Sequence, residues 1–138
     1  MQKKSTGTLF GISGILLVCL GCFGLAAFVY AVGCLPLELN PGYSQGMQIL
    51  QNDPAVKEEL GAPIHPSYIV MGKTEESMYG DGTGNLWTPI FGSHKRGEVD
   101  IYVAKAEGGP WHVLDMTIHV DGKRVLTWDK GKGFHSIP

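Results

Sequence analysis

From Thr8 to Leu37 the chain carries no charged residue. After Cys34 it carries no cysteine; the three it has, Cys19, Cys22 and Cys34, all belong to that uncharged stretch. The part that follows therefore has no disulfide framework and no thiolate metal site. Basic residues are sparse: 11 Lys and Arg stand against 13 Asp and Glu, and those beyond the uncharged stretch form no stripe. The electrostatic footprint of a nucleic-acid binder is absent, and no nucleic acid is expected as a partner.

What fills the uncharged stretch is Leu, Val, Phe, Ala and Gly. About 20 apolar residues cross the hydrocarbon core of a bilayer as a helix, so residues 1–37 read as an N-terminal tail and a transmembrane anchor. Lys3 and Lys4 precede it, and no Lys or Arg follows until Lys57. Positive charge stays on the side of synthesis, which puts the N-terminus inside and the rest of the chain outside. A cleaved secretory signal has a shorter apolar core. A lipoprotein signal is the closer rival, because Ala31-Val32-Gly33-Cys34 resembles the box before a lipidated Cys, but the apolar run ahead of it is longer than such signals use.

Within the anchor, Cys19 and Cys22 form a C-x-x-C. A redox or metal role needs partial exposure to water and a βαβ setting, which a membrane helix does not offer, so helix packing is the reading. Gly7, Gly11, Gly14 and Gly21 recur at intervals of four, three and seven. They share one helix face that lets a second helix approach closely, or they reflect the frequency of Gly in such helices.

Beyond the anchor, Glu38 to Gly42 reads as a linker with a turn at Asn40-Pro41-Gly42, and 43–138 as one domain of modest core. Tyr43, Met47 and Leu50 fall on one helical face. Asp53 and Pro54 suit the cap and first turn of a next helix, with Val56 and Leu60 facing the core; Gly61 and Pro63 stop it. From Tyr68 the period becomes two. Tyr68-Ile69-Val70-Met71 predicts a strand and Gly84–Phe91 a longer one, with Pro89 at a sheet edge or bulge. Gly92–Gly97 is a turn, Val99, Ile101 and Val103 alternate with polar neighbours, and Gly108-Gly109-Pro110 turns again before a strand over Trp111–Val120. Asp121-Gly122 predicts a two-residue hairpin pairing Val120 with Lys123, Ile118 with Val125 and Met116 with Thr127, and setting Asp115 against Trp128. The product is α+β: an N-terminal transmembrane helix, then a short helical segment packed on an antiparallel meander.

Four stretches carry a family resemblance. They are Asn52-Asp53-Pro54-Ala55-Val56-Lys57-Glu58-Glu59-Leu60-Gly61-Ala62-Pro63-Ile64, then 85–97 with its Gly92–Gly97 turn, then 99–106, then the Trp-led 111–116. Their order and spacing resemble the cytochrome oxidase complex assembly protein 1 family, whose members also have one N-terminal anchor. The sequence departs from that pattern at His94 and at the tail Ser136-Ile137-Pro138. The resemblance implies a protein of the inner membrane that binds respiratory-complex subunits or assembly intermediates, with no catalysis and no haem, copper or other cofactor. The scarcity of Arg and Ser before the span favours a bacterial inner membrane with an extracytoplasmic domain over the mitochondrial inner membrane.

A search for chemistry in the residues agrees. No pair among His65, His94, His112, His119 and His135 has a metal-ligand spacing, and strict alternation puts His112 and His119 on opposite faces of one strand. Gly80–Gly84 lacks the Lys and the strand-to-helix setting of a phosphate loop and reads as a hairpin turn. Ser93 and His94 lack a nucleophile elbow, and Asp100, Asp115 and Asp129 read as solvent-facing strand positions. The alternatives to an assembly factor are an envelope structural or ligand-sensing module unrelated to respiration, and an enzyme.

Overall fold

The computed structural model describes residues 7–33 and 35–138, with side chains at 14–33 and 37–138. Helix α1 (Gly7–Gly33) has 27 residues, about 40 Å at 1.5 Å per residue. Its segment Gly14–Gly33 has a mean hydropathy of 2.6 and none of it is buried. Ile15, Leu17, Phe23, Phe28 and Val32 are exposed on every side, and the segment is long and apolar enough to cross a membrane. Lys3, Lys4 and Cys34, on which the orientation and the lipidation alternative rest, lie outside the described residues.

After α2 (Leu35–Glu38), the residues read as a turn-forming linker open a helix. Asn40 caps α3 (Pro41–Asn52), its side chain accepting from the amides of Gly42 and Tyr43 at 2.8 and 3.3 Å, with Pro41 in the first turn. Gly42 and Gly46 lie against the sheet. A Cβ on Gly42 would come within 2.7 Å of Val103 Cγ1, and one on Gly46 within 3.2 Å of Ile101, so α3 rests closer than any larger residue allows. Asp53 ends α3 and begins α4 (Pro54–Leu60). Gly61 follows with φ 84°, the conformation that glycine adopts without steric cost.

Seven strands form one antiparallel sheet: β1 (His65–Pro66), β2 (Met71–Glu76), β3 (Gly82–Phe91), β4 (Arg96–Lys105), β5 (His112–Val120), β6 (Lys123–Asp129) and β7 (Gly133–Ser136), ordered β1-β3-β4-β5-β6-β7 with β2 also on β3. The α+β class holds. Leu86, Ile90, Val99, Ile101, Val103, Met116 and Ile118 turn inward to meet Met47, Leu50, Val56 and Leu60 beneath α3 and α4.

Several expectations need correction. Tyr68–Val70 is not a strand; only Val70 is buried, and pairing starts at Met71. With Lys73, Glu75 and Glu76 among its six residues and no buried position, β2 shows no period of two in the sequence. Pro89 lies within an interior strand, paired with Glu98 of β4. Its carbonyl accepts from Ser67 at 2.8 Å, so its missing N–H faces the gap between β1 and β2, where no ladder bond is required.

The Asp121-Gly122 turn forms, with φ of 52° and 72°, and Val120 pairs with Lys123. Past His119 the register shifts: Ile118 meets Leu126 and not Val125, and Met116 meets Trp128, so neither Thr127 opposite Met116 nor Asp115 opposite Trp128 is found. Val125 is the extra residue of a bulge, and it allows Leu126 and Trp128 to reach the buried face. A second bulge at Leu114 separates the pairs Tyr102–Asp115 and Val103–Val113. There the Val113 amide is taken by Gln45 Oε1 at 3.1 Å.

Candidate interaction surfaces

The two glycine-bearing motifs of the family resemblance interlock. The carbonyl of Leu60 accepts from the amides of His94 and Lys95, both at 3.0 Å, and that of Gly61 from Ser93 at 3.0 Å. Carbonyls left without partners at the end of α4 are thereby satisfied. Gly92 packs so closely that an added Cβ would stand on the Leu60 carbonyl oxygen. Lys95 Nζ reaches Glu59 at 2.6 Å. Ser93 and His94 thus contribute their backbone to a helix end.

The histidines do not converge. His119 Nδ1 lies 3.4 Å from Asp100 and His135 Nε2 lies 3.6 Å from Asp129, while His65 is on β1 and His94 in the turn. The expectation that His112 and His119 face opposite ways fails. Their partners are Ala104 and Glu98, which share the solvent face of β4, because the Leu114 bulge shifts the alternation by one. Those partners are six residues apart, so the pair still does not meet. Among the described residues no three His, Cys, Asp or Glu side chains could hold a metal ion. The glycine-rich loop is narrower than the sequence suggests. Its turn runs Ser77–Asp81, closed by Ser77 N on Asp81 O at 2.8 Å, and Gly82 and Gly84 are already in β3. Gly82 leaves room for the Trp111 ring, and Lys105 Nζ sits 5.5 Å above that ring's centroid.

The sheet face away from the helices is open. Trp87 Nε1 donates to Glu98 at 3.3 Å and Asn85 to the Tyr102 hydroxyl at 3.2 Å. A depression of about 400 Å³ lies between Phe91, Arg96, Glu98, His119 and Asp121. Its lining mixes both signs of charge with one aromatic ring, without a nucleophile paired to a base. On α1, a Cβ added at Gly14 or Gly21 would meet nothing within 4 Å, so this face is open to a neighbour. Gly7 and Gly11 lie on the same helix, with their surroundings outside the described residues. Cys19 and Cys22 are exposed and free.

Sequence reasoning missed the exposed apolar segment Tyr68-Ile69. The signal was Pro66-Ser67: the Ser67 hydroxyl accepts from the Ile69 amide at 3.2 Å, a local bond that competes with strand formation.

An apolar helix followed by a helix-covered antiparallel sheet, with no assembled catalytic group among the described residues, defines a class of small α+β modules carried behind a candidate membrane helix. Within it, the family model described as cytochrome oxidase complex assembly protein 1 matches residues 14–128. The chain belongs to this family. No curated protein and no solved structure matches it.

Proposed function

We propose that this chain is a membrane-anchored, non-catalytic factor that attends the assembly of cytochrome oxidase or another respiratory complex by binding its subunits or intermediates. The observation that carries this reading is the extent of the family match, 14–128, which takes in both the apolar helix and the sheet down to β6. Residues 1–37 act as tail and anchor, 38–42 as a short connection and 43–138 as the binding domain. With Lys3 and Lys4 inside, the domain stands outside the cytoplasm of a bacterial cell, and a reporter fused after Pro138 is active only there. The glycine face of α1, with Gly14 and Gly21 open, supplies a helix-packing surface continued by Gly7 and Gly11.

The test is crosslinking of the full chain in native membranes, paired with measurement of assembled oxidase in cells that lack it. Recovery of oxidase subunits or intermediates, and a fall in assembled enzyme, are expected. A chain that crosslinks to no respiratory subunit while oxidase levels hold would refute the reading. Replacing Gly11 and Gly14 by Leu weakens recovery while leaving insertion intact; full recovery would mean the anchor is only a tether.

A further inference from the structure

A line of contacts leads from the end of α1 to an exposed apolar segment of the domain. The Tyr30 hydroxyl donates to both carboxylate oxygens of Glu38 at 2.9 Å. Glu38 closes α2, which packs beside β2, and lies near enough to Tyr43 to bear on its ionisation. The Thr88 side chain bears on the Tyr43 hydroxyl as well, and Thr88 Oγ1 donates to the Ile69 carbonyl at 2.9 Å. The backbone of Ile69 is thus tied inward while its side chain points out. Tyr68 is 86 % exposed, Ile69 53 % and Met71 49 %, and Leu39, just after α2, is 71 % exposed. No Asp, Glu, Lys or Arg occurs between Glu59 and Lys73.

We propose that Leu39, Tyr68, Ile69 and Met71 form a lipid-contacting edge that seats the domain on the surface of the same bilayer that α1 crosses. This rests on the reading of α1 as a retained anchor. Only residue 34 separates α1 from α2, so α2 lies at headgroup level and β2 with it. Aliphatic side chains and a tyrosine, apolar in body and polar at the tip, suit the boundary between headgroups and acyl chains. The absence of charge in 60–72 removes what would oppose burial there. The occupant is a bilayer rather than a protein partner because the patch is continuous with the membrane segment. Seated this way, the sheet edge bearing β1 and β2 faces the membrane and the β7 edge faces away.

The test uses the full chain in phosphatidylcholine vesicles, with Cys19, Cys22 and Cys34 replaced by Ser and a nitroxide on Ile69→Cys or, at the opposite edge, on Lys130→Cys. Resistance to carbonate extraction is read first. Collision with oxygen, which concentrates among acyl chains, is then compared with collision with a water-soluble nickel chelate. The expected ratio is severalfold higher at position 69 than at 130. An integrated chain whose label at 69 is as open to the chelate as the one at 130 overturns the lipid edge and leaves the anchor standing. A label shielded from both reagents means protein covers the patch, and overturns it too. Loss of the chain on extraction overturns the anchor and the edge together.

Discussion

Asp53 and Phe134, 81 residues apart, are joined by one carboxylate oxygen. Asp53 Oδ2 accepts from the Phe134 amide at 3.0 Å, while Oδ1 accepts from Ala55 at 2.8 Å and Val56 at 3.4 Å. One side chain therefore caps α4 and fixes β7 to the helical layer. Losing a cap costs about 1 kcal/mol, and an amide left without its acceptor in a part-buried site about 1–3 kcal/mol. Asp53→Ala is expected to lower stability by about 2–4 kcal/mol in denaturant titration of the detergent-solubilised chain. Asp53→Asn, which keeps an oxygen for the cap, is expected to lose less. Equal losses would separate β7 from the cap.

Gly92 is expected to resist the smallest possible change. Its neighbour is backbone, the Leu60 carbonyl, which cannot rotate away as a side chain would. Gly92→Ala should cost about 1–3 kcal/mol, the range for overpacking. Removing the surface ion pair next to it with Lys95→Ala should cost less than about 1 kcal/mol. A neutral Gly92→Ala would show that α4 and the turn can part without loss.

At Gly122 the expectation is purely conformational. Nothing lies within 4 Å of an added Cβ, but φ is 72°. Gly122→Val should destabilise by about 1–3 kcal/mol, as for other strained backbone positions, and Gly122→Asn by less, since Asn tolerates that region. An unchanged melting temperature for the Val variant would refute the strain.

Tyr43 predicts an alkaline limit. Burial pushes its hydroxyl above the ordinary 10.0, the Thr88 side chain opposes the rise, and the nearby Glu38 adds to it. The folded state then holds a proton that the unfolded chain releases. This contribution is whole below pH 10 and is lost as pH rises through the folded value. Tyr43→Phe removes the titrating group and should flatten the decline above pH 10. Parallel profiles for the two proteins would count against the proton linkage.

Helices α3, from Tyr43 on, and α4 were legible because their signals are local, whereas α2 and the start of α3 fall in residues that read as anchor and linker. Asp53, Pro54 and Gly61 each act within one turn, and Tyr43, Met47 and Leu50 mark one face at a helical period. Strand β4 was legible because it alternates without interruption from Val99 to Val103. Strands β5 and β6 were only half legible. Leu114 and Val125 resemble ordinary apolar strand residues, yet each is the extra residue of a bulge, and each shifts all later pairings by one. Strand β7 has four residues and no pattern of its own; its ladder with β6 and the carboxylate of Asp53, distant in sequence, hold it in place. As for the interaction surfaces, glycine spacing on α1 could be read directly. The Tyr68–Met71 patch could not, since exposure of an apolar run is decided by what the neighbouring strand permits.

That permission can be counted in the register. Pro66 stands opposite Ile90 and Met71 opposite Trp87, so the four residues 67–70 run past only two of β3. The outer rail carries two residues more than the ladder can seat, and the surplus is thrown outward at Tyr68 and Ile69. Pro89, whose nitrogen faces this gap, costs the sheet no bond there. The loop is thus a matter of chain length against the neighbouring strand, a quantity that no single side chain in 67–70 displays.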